Sequence, residues 1–208
     1  MTDFSGKNFG LLIAYVLPGF VLLYGLQPVS VPVREWLGIS PSIPGSIESI
    51  FFVTVASTAA GMAVSAVRWL LIDSLHDVTG LRRPTWDDGK LQANLDAFEA
   101  LVEAHFRYYQ FYANSFVASL FVLAIALAMK EAWASSSIAL AVFALTNAAF
   151  LLMSRDTLRK YYRRSALLLG THPKQKGGTS WETATPNRPR RKSRLVNPRN
   201  RKQNASDA

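Results

Sequence analysis

The 208-residue chain contains no cysteine. This absence excludes a disulfide scaffold, a cysteine-ligated zinc or iron–sulfur site, a thiol nucleophile and a lipoprotein anchor. Histidine is scarce as well, since His76, His105 and His172 are the only three. The phosphate-binding patterns GxGxxG and GxxxxGK[ST], the nucleophile pattern GxSxG and the zinc pattern HExxH are also missing. The sequence therefore carries no recognised catalytic motif, and we predict no cofactor.

Charge is nearly absent from four long apolar stretches. Half of the residues are apolar and the mean hydropathy is +0.12, although the net charge is +9. A helix crosses a bilayer with roughly 20 predominantly apolar residues. We therefore predict an all-α, four-span helical membrane bundle. Its transmembrane helices are predicted at 9–26, 49–72, 111–130 and 136–154, after a short N-terminal segment at 1–8 and with outer loops at 27–48 and 131–135. The first span is expected to be retained, because no small-x-small cleavage site follows it.

The positive charge is concentrated in the last quarter of the chain. Residues 155–208 carry fifteen Lys or Arg against three Asp or Glu, whereas residues 1–154 carry eight against eleven. Arg34 is the only Lys or Arg in the predicted outer loops, and Lys130 lies at the outer end of the third span. Because Lys and Arg accumulate in cytoplasmic loops, this asymmetry predicts a cell-membrane (inner-membrane) protein with both termini in the cytoplasm.

The connection between the second and third spans is too patterned to be a simple loop. Apolar or ring side chains recur every three or four residues between 91 and 112, which is the period of an amphipathic helix. We predict a cytoplasmic helical hairpin at 73–110, in which one helix runs unbroken from about Asp88 through the third span. The fourth span is expected to continue as a cytoplasmic helix end at 155–170.

Four polar residues are predicted to lie in one layer of this extension. Counting along antiparallel helices from their shared outer ends places Asp73 level with residue 104, so that Asp73, His76, Asp77 and His105 share a layer. Arg68 and Arg107 lie within about a turn of it. These residue types suit a divalent metal site, a proton relay, a pH sensor or a catalytic site. The structural alternative is that Arg68 and Arg107 pair with the carboxylates and that His105 is a hydrogen-bonded bundle residue.

Small residues on the second span predict a site of helix packing. Ser57, Gly61 and Ser65 repeat every four residues, which allows two helix backbones to approach closely. The pattern leaves open whether the partner helix belongs to the same chain or to another copy. In the first span, the Pro18-Gly19 pair predicts a kink or an unwound turn that neighbouring helices must compensate.

Two amides and two aromatic clusters lie near or within the last two spans. The same counting of levels places Asn114 and Asn147 close enough to hydrogen-bond across the helix pair. The tyrosine-rich segments at 108–112 and 161–162 are interpreted as an aromatic belt where the helices leave the bilayer.

The segment 171–208 is predicted to be a disordered basic tail, because it is polar and lacks apolar periodicity. Its densest anion-binding candidates are Arg188, Arg190, Arg191, Lys192 and Arg194. Anionic lipid, nucleic-acid phosphates and an acidic protein partner remain alternative ligands. Trp181 is the tail's only aromatic residue available for base stacking, which disfavours sequence-specific nucleic-acid recognition.

The leading functional hypothesis is a non-enzymatic multi-pass membrane protein. We expect it to form homo-oligomers in the lipid bilayer and to anchor or recruit a cytoplasmic partner through its extension and tail. A gated pore or membrane-disrupting effector is the first alternative. A metal-dependent membrane enzyme that uses the Asp73, His76, Asp77 and His105 layer is the second.

Overall fold

The computed structural model describes residues 9–38 and 47–170. The helices in these ranges are α1 at Phe9–Leu26, α2 at Val31–Trp36, α3 at Ile47–Val78, α4 at Asp88–Ala93, α5 at Leu95–Ala128 and α6 at Ser137–Leu169, with a 3₁₀ turn at Ala132–Ser135. The described ranges contain no β-strand, so the predicted all-α class is confirmed. The predictions for 1–8, for 39–46 within the first outer loop and for 171–208 lie outside the described residues.

Four of the helices are long and apolar enough to cross a membrane: α1, α3, α5 and α6. They contain 18, 32, 34 and 33 residues. At a rise of about 1.5 Å per residue, the last three are about 50 Å long, whereas the hydrocarbon core of a bilayer is about 30 Å thick. Each of the three therefore continues well beyond a membrane-crossing length. This confirms the predicted four-span bundle with helical extensions.

The helix predicted to run unbroken from the extension into the third span is interrupted. Asn94 has φ −126° and ψ 30°, outside the helical region, and it separates α4 from α5. Asp87 caps α4, because its Oδ1 accepts from the N–H of Gly89 at 3.0 Å. Gly80 and Gly170, which follow α3 and α6, have φ of +88° and +72°, a backbone conformation that glycine adopts without strain.

The bundle is organised around α1 and α5. Helix α1 packs against both α3 and α5, and α6 packs against α5. The main buried cluster lies where α3, α5 and α6 meet, and consists of Val64, Ile72, Tyr109, Ala113, Val117, Ala118, Leu158 and Tyr161. The small residues on α5 allow the neighbouring helices to approach it closely.

The outer faces of α3 and α6 carry large apolar side chains. Only 17% and 11% of the residues in the most apolar stretches of α3 and α6 are buried. Phe51 and Val55 on α3, and Leu145 and Leu152 on α6, are each more than half exposed. Apolar patches of this extent are rare on soluble monomers, so these faces suit hydrocarbon rather than water.

The backbones of α1 and α3 are in direct contact where they cross. A Cβ atom on Gly61 would lie 2.0 Å from the carbonyl oxygen of Tyr15. A Cβ atom on Gly19 would lie 1.8 Å from the carbonyl oxygen of Ser57. Both distances are too short for any side chain, so the crossing requires glycine on both helices. At this point, the small-residue repeat of α3 therefore packs against α1 of the same chain.

Pro18 does not break α1. Proline has no N–H, so in an α-helix it leaves the carbonyl four residues earlier, that of Ala14, without its donor. The side-chain amide of Asn114 on α5 donates to this carbonyl at 2.7 Å. A wide π-helical turn at Leu12–Val16 precedes the proline. The predicted local disturbance is thus a π turn, and α5 supplies the missing hydrogen bond.

Two further π turns occur, one in α3 and one in α5. They lie at Trp69–Asp73 in α3 and at Val102–Phe106 in α5. The first contains Asp73 and the second His105, two of the candidate polar residues. Single π turns within α-helices often occur at functional sites, and they shift the faces that the helix presents.

Candidate functional site

The centre of the candidate site is an ion pair covered by a tyrosine. Arg68 Nη1 donates to Asp73 Oδ1 at 2.9 Å, and the Tyr109 hydroxyl donates a short hydrogen bond to the same oxygen. The Arg68 guanidinium lies over the Tyr109 ring, with Cζ 5.1 Å from the ring centroid. Tyr109 is 1% exposed and the Arg68 side chain 7% exposed, whereas the Asp73 side chain keeps 32%. This arrangement pairs the buried cation with a carboxylate that still reaches the surface.

His76 belongs to a separate hydrogen-bonded contact with α6. The side chain is 2% exposed, and its Nε2 lies 3.3 Å from Ser154 Oγ. Ser154 Oγ donates to the carbonyl of Leu151 at 2.8 Å, so it accepts from His76 Nε2–H. This assignment leaves His76 Nδ1 unprotonated. Among the described residues, that buried atom has no hydrogen-bond partner.

His105 contacts α6 and not the α3 residues with which it was grouped. Its Nε2 lies 2.7 Å from Arg164 Nη1. A guanidinium only donates hydrogen bonds, so Nε2 must accept, and the imidazole is neutral with its proton on Nδ1. The Nε2 lone pair that could ligate a metal is therefore engaged by Arg164 on α6, and not directed at Asp73.

Arg107 pairs with a carboxylate other than the ones in the predicted layer. Its Nε donates to Glu103 Oε1 at 3.4 Å and its Nη1 to Gln110 Oε1 at 3.1 Å. Gln110 Nε2 in turn donates to the hydroxyl of Tyr15 on α1 at 3.0 Å. This chain of contacts ties residues 103–110 of α5 to α1.

The metal-site interpretation is not supported by these positions. Asp73, His76 and His105 each have a separate partner, and Asp77 is exposed. Across residues 9–38 and 47–170, no group of three or more His, Asp or Glu side chains is arranged to hold a metal ion. The Arg68–Asp73 pair agrees with the structural alternative. The sequence could not specify which way each of these residues faces.

A cluster of aromatic rings holds the extension together. The rings of Trp86 and Phe98 lie 5.5 Å apart, and Tyr161 of α6 packs on Trp86 at 6.2 Å and on Phe106 at 5.1 Å. Tyr161 is only 5% exposed. The interpretation of Tyr109 and Tyr161 as members of an aromatic belt is therefore wrong, because both are core residues. The amphipathic period of 91–112 indicated an apolar helix face that must be covered by another part of the protein. It did not indicate that α6 covers this face.

The two amides of the spans do not bond to each other. Asn114 faces α1 and donates to the carbonyl of Ala14, as described above. Asn147 Oδ1 accepts from Ser119 Oγ at 2.5 Å, and its Nδ2 donates to the carbonyl of Phe143 at 2.9 Å. The predicted Asn114–Asn147 hydrogen bond is wrong, although both amides do join neighbouring helices. Ser65, the third member of the small-residue repeat, is half-buried beside α1.

A row of arginines lies on the exposed side of α6, which we call the basic stripe: Arg155, Arg159 and Arg163. The opposite face of α6 is buried through Leu158 and Tyr161, so the four-residue spacing directs all three arginines to the surface. Arg155 also caps the C-terminal end of α3, because its guanidinium donates to the hydroxyl and the carbonyl of Thr79 at 2.5 and 3.1 Å. The anion-binding candidates Arg188, Arg190, Arg191, Lys192 and Arg194 lie outside the described residues.

No family model, curated protein or solved structure matches this chain.

Proposed function

We propose that the chain is a multi-pass membrane protein that forms oligomers and anchors a cytoplasmic partner on its extension. The partner surface has anionic chemistry, and we expect an acidic protein. The observation that carries this proposal is that the extension is a packed platform with the basic stripe on its outside.

The distribution of charge supports a cytoplasmic location for the extension. Arg82, Arg83 and Lys90 all lie in the connection between α3 and α5. Arg34 is the only cation between α1 and α3, and Lys130 the only one between α5 and α6. Under the positive-inside rule, the extension and the end of α6 lie in the cytoplasm, and both termini lie on that side because the number of spans is even.

The platform is held rigidly enough to present a defined surface. The aromatic cluster joins the link after α3, the start of α5 and the end of α6. Arg83 adds a further contact, with its Cζ 4.6 Å from the centroid of the Trp86 ring. A surface built on packed helices recognises a partner with less loss of conformational entropy than a free segment does.

The polar residues inside the bundle favour this function over a pore or an enzyme. Arg68 with Asp73, His76 with Ser154, and Asn114 with the Ala14 carbonyl are each paired within the chain. The Asp73 carboxylate, His76 Nε2 and the Asn114 amide nitrogen are already occupied by these contacts, which leaves fewer groups to ligate a metal or line an aqueous path. The basic stripe differs, because Arg159 and Arg163 project outward with no hydrogen bond or ion pair to any part of the chain that the structure describes.

The experiment compares partner capture by intact protein and by variants, after crosslinking in native membranes. The test variant R159E/R163E reverses two charges of the basic stripe, and a second variant lacks 171–208. The control R159K/R163K keeps the charge, and K130E reverses a charge on the opposite side. Because each lost contact with an anionic group removes a charge-assisted hydrogen bond, R159E/R163E should reduce capture by about tenfold or more, while both controls retain it.

The outcomes separate the possible partners. Capture that survives nuclease treatment and is lost in R159E/R163E supports an acidic protein partner. Capture that disappears with nuclease indicates nucleic acid and overturns that choice. Equal capture by the charge-reversed variant and its lysine control would contradict the platform. The oligomeric state is tested by the mass of the particle in mild detergent, where a monomer would contradict the oligomer.

A further inference from the structure

A lateral groove lies between α1 and α3, on one side of the point where they cross. Its volume is about 760 Å³. On one wall are Leu12 and Val16, which begin and end the π turn of α1, and on the other are Met62 and Ala66 of α3. Met62 is 63% exposed on the outer face of α3. The groove therefore opens sideways from the apolar part of the bundle.

Along its α3 wall, the groove is about as long as one leaflet of a bilayer. On α3 its lining begins at Thr58 and ends at Trp69. At about 1.5 Å per residue this is roughly 16 Å along the helix axis, close to half of a hydrocarbon core of about 30 Å. An acyl chain that entered from one membrane surface would fill the groove and reach no further than the midplane.

One end of the groove is polar. Arg68 lines it next to Trp69, whose ring is 64% exposed. The guanidinium uses Nη1 on Asp73, but its Nε is buried and has no hydrogen-bond partner among the described residues. A buried donor without an acceptor is unfavourable, and a cationic one more so. The guanidinium is thus only partly satisfied by the protein itself.

These features match the two parts of a phospholipid. Its acyl chains need an apolar wall in the membrane, and its phosphate oxygens are strong acceptors for an arginine. A tryptophan beside the arginine suits the headgroup level, where aromatic residues of membrane proteins accumulate. A helix of another copy would also bury the groove walls, but its membrane-crossing stretch carries no carboxylate to pair with Arg68.

We propose that the α1–α3 groove binds a glycerophospholipid, with one acyl chain along the groove and the phosphate at Arg68. The site is independent of the basic stripe and of the partner proposed above. It lies at the extension end of the membrane-crossing part of α3, so its lipid comes from the leaflet on that side. The phosphate accepts from the guanidinium where Arg68 lines the groove.

The first test fills the groove with a side chain. Ala66 lines the groove, whereas Ala63, three residues earlier on α3, is exposed outside it. The variants A66W and A63W thus add the same bulk to the same helix, and A63W is the matched control. Each protein is purified from native membranes in mild detergent, washed extensively, and assayed for phosphorus and lipid mass per chain. We expect wild type and A63W to retain phospholipid and A66W to retain about tenfold less, because the acyl chain loses its apolar contact.

The second test addresses the headgroup. Detergent-solubilised protein is incubated with phosphatidylglycerol and with a diacylglycerol of the same acyl chains, which lacks the phosphate. Wild type should prefer the phospholipid, and R68Q should lose that preference while keeping an acyl chain. If R68Q does not fold, the A66W and A63W comparison still decides whether the groove binds a lipid.

Several results would overturn the proposal. Wild-type protein that purifies without phospholipid would do so, as would A66W that retains as much as A63W. Equal retention of phosphatidylglycerol and diacylglycerol by wild type would show that the site does not recognise the phosphate. If A66W lowered the mass of the particle without any change in lipid, the groove would instead bind a second copy of the chain.

Discussion

Replacing Gly61 by alanine tests the closest contact in the bundle. The added Cβ would lie 2.0 Å from the carbonyl oxygen of Tyr15 and 2.7 Å from its carbonyl carbon. Both are backbone atoms, so no side-chain rotation can relieve the contact. Helix α1 must move away from α3 by roughly 1 Å or more before the distance becomes an ordinary van der Waals contact.

The cost of this movement can be estimated from two parts. Forcing an extra methyl group into a packed interface typically costs about 1–3 kcal/mol. Tyr15 follows Ala14, whose carbonyl accepts from Asn114 at 2.7 Å, so moving α1 also stretches that hydrogen bond. An interhelical hydrogen bond in a membrane protein contributes about 0.6–2 kcal/mol. Together we expect G61A to lower the free energy of unfolding by about 2–4 kcal/mol.

The assay is reversible unfolding in detergent micelles, followed by the circular dichroism of the aromatic side chains. Gly89 provides the matched control, because its added Cβ would meet only the Asp87 carboxylate oxygen, at 3.3 Å. We expect G89A to change the free energy of unfolding by less than about 0.5 kcal/mol. If G61A were as stable as G89A, the helices would not cross as closely as the structure places them, and the reasoning would be refuted.

Three further substitutions test individual contacts by the same unfolding measurement. Asn114→Ala leaves the Ala14 carbonyl without its donor and should cost about 1–3 kcal/mol, and an unchanged stability would show that the Pro18 region needs no compensation. Tyr109→Phe removes only the hydroxyl that donates to Asp73 and should cost about 1–2 kcal/mol, whereas no loss would argue against that hydrogen bond. Tyr161→Ala removes the centre of the aromatic cluster and should cost about 3–5 kcal/mol. It should also make the extension cleavable by protease in detergent micelles, and an intact extension would contradict its role.

Counting from shared helix ends predicted some heights along the bundle and missed others, since Asp73 was placed level with residue 104 but contacts Tyr109, more than one helical turn away. Counting from shared helix ends places residue 68 level with 109, and Arg68 does lie over the Tyr109 ring. It also places residue 112 near 151, and the rings of Tyr112 and Phe150 lie 6.4 Å apart. Height is predictable because the rise per residue is nearly constant and the span ends are marked by glycines, prolines and charges.

The direction in which each side chain faces was not predictable in the same way. Asn114 and Asn147 were placed at similar heights, yet Asn114 faces α1 and Asn147 bonds to Ser119. His105 likewise faces Arg164 and not Asp73. The direction in which a side chain points depends on the rotation of its helix about the helix axis and on the order in which the helices pack. It also depends on π turns, which no sequence period reveals. A candidate site built from height alone therefore gathered residues that have different neighbours.

The three π turns also determine where the chain tolerates a change in length. A π turn holds one residue more than an α-helical turn, so deleting one residue within Trp69–Asp73 converts it to α-helix. The segments before and after that turn then keep their relative rotation and their contacts. A deletion one turn away would instead rotate everything beyond it by about 100° and turn buried faces outward. Insertions and deletions of single residues among related sequences should accordingly concentrate at Leu12–Val16, Trp69–Asp73 and Val102–Phe106.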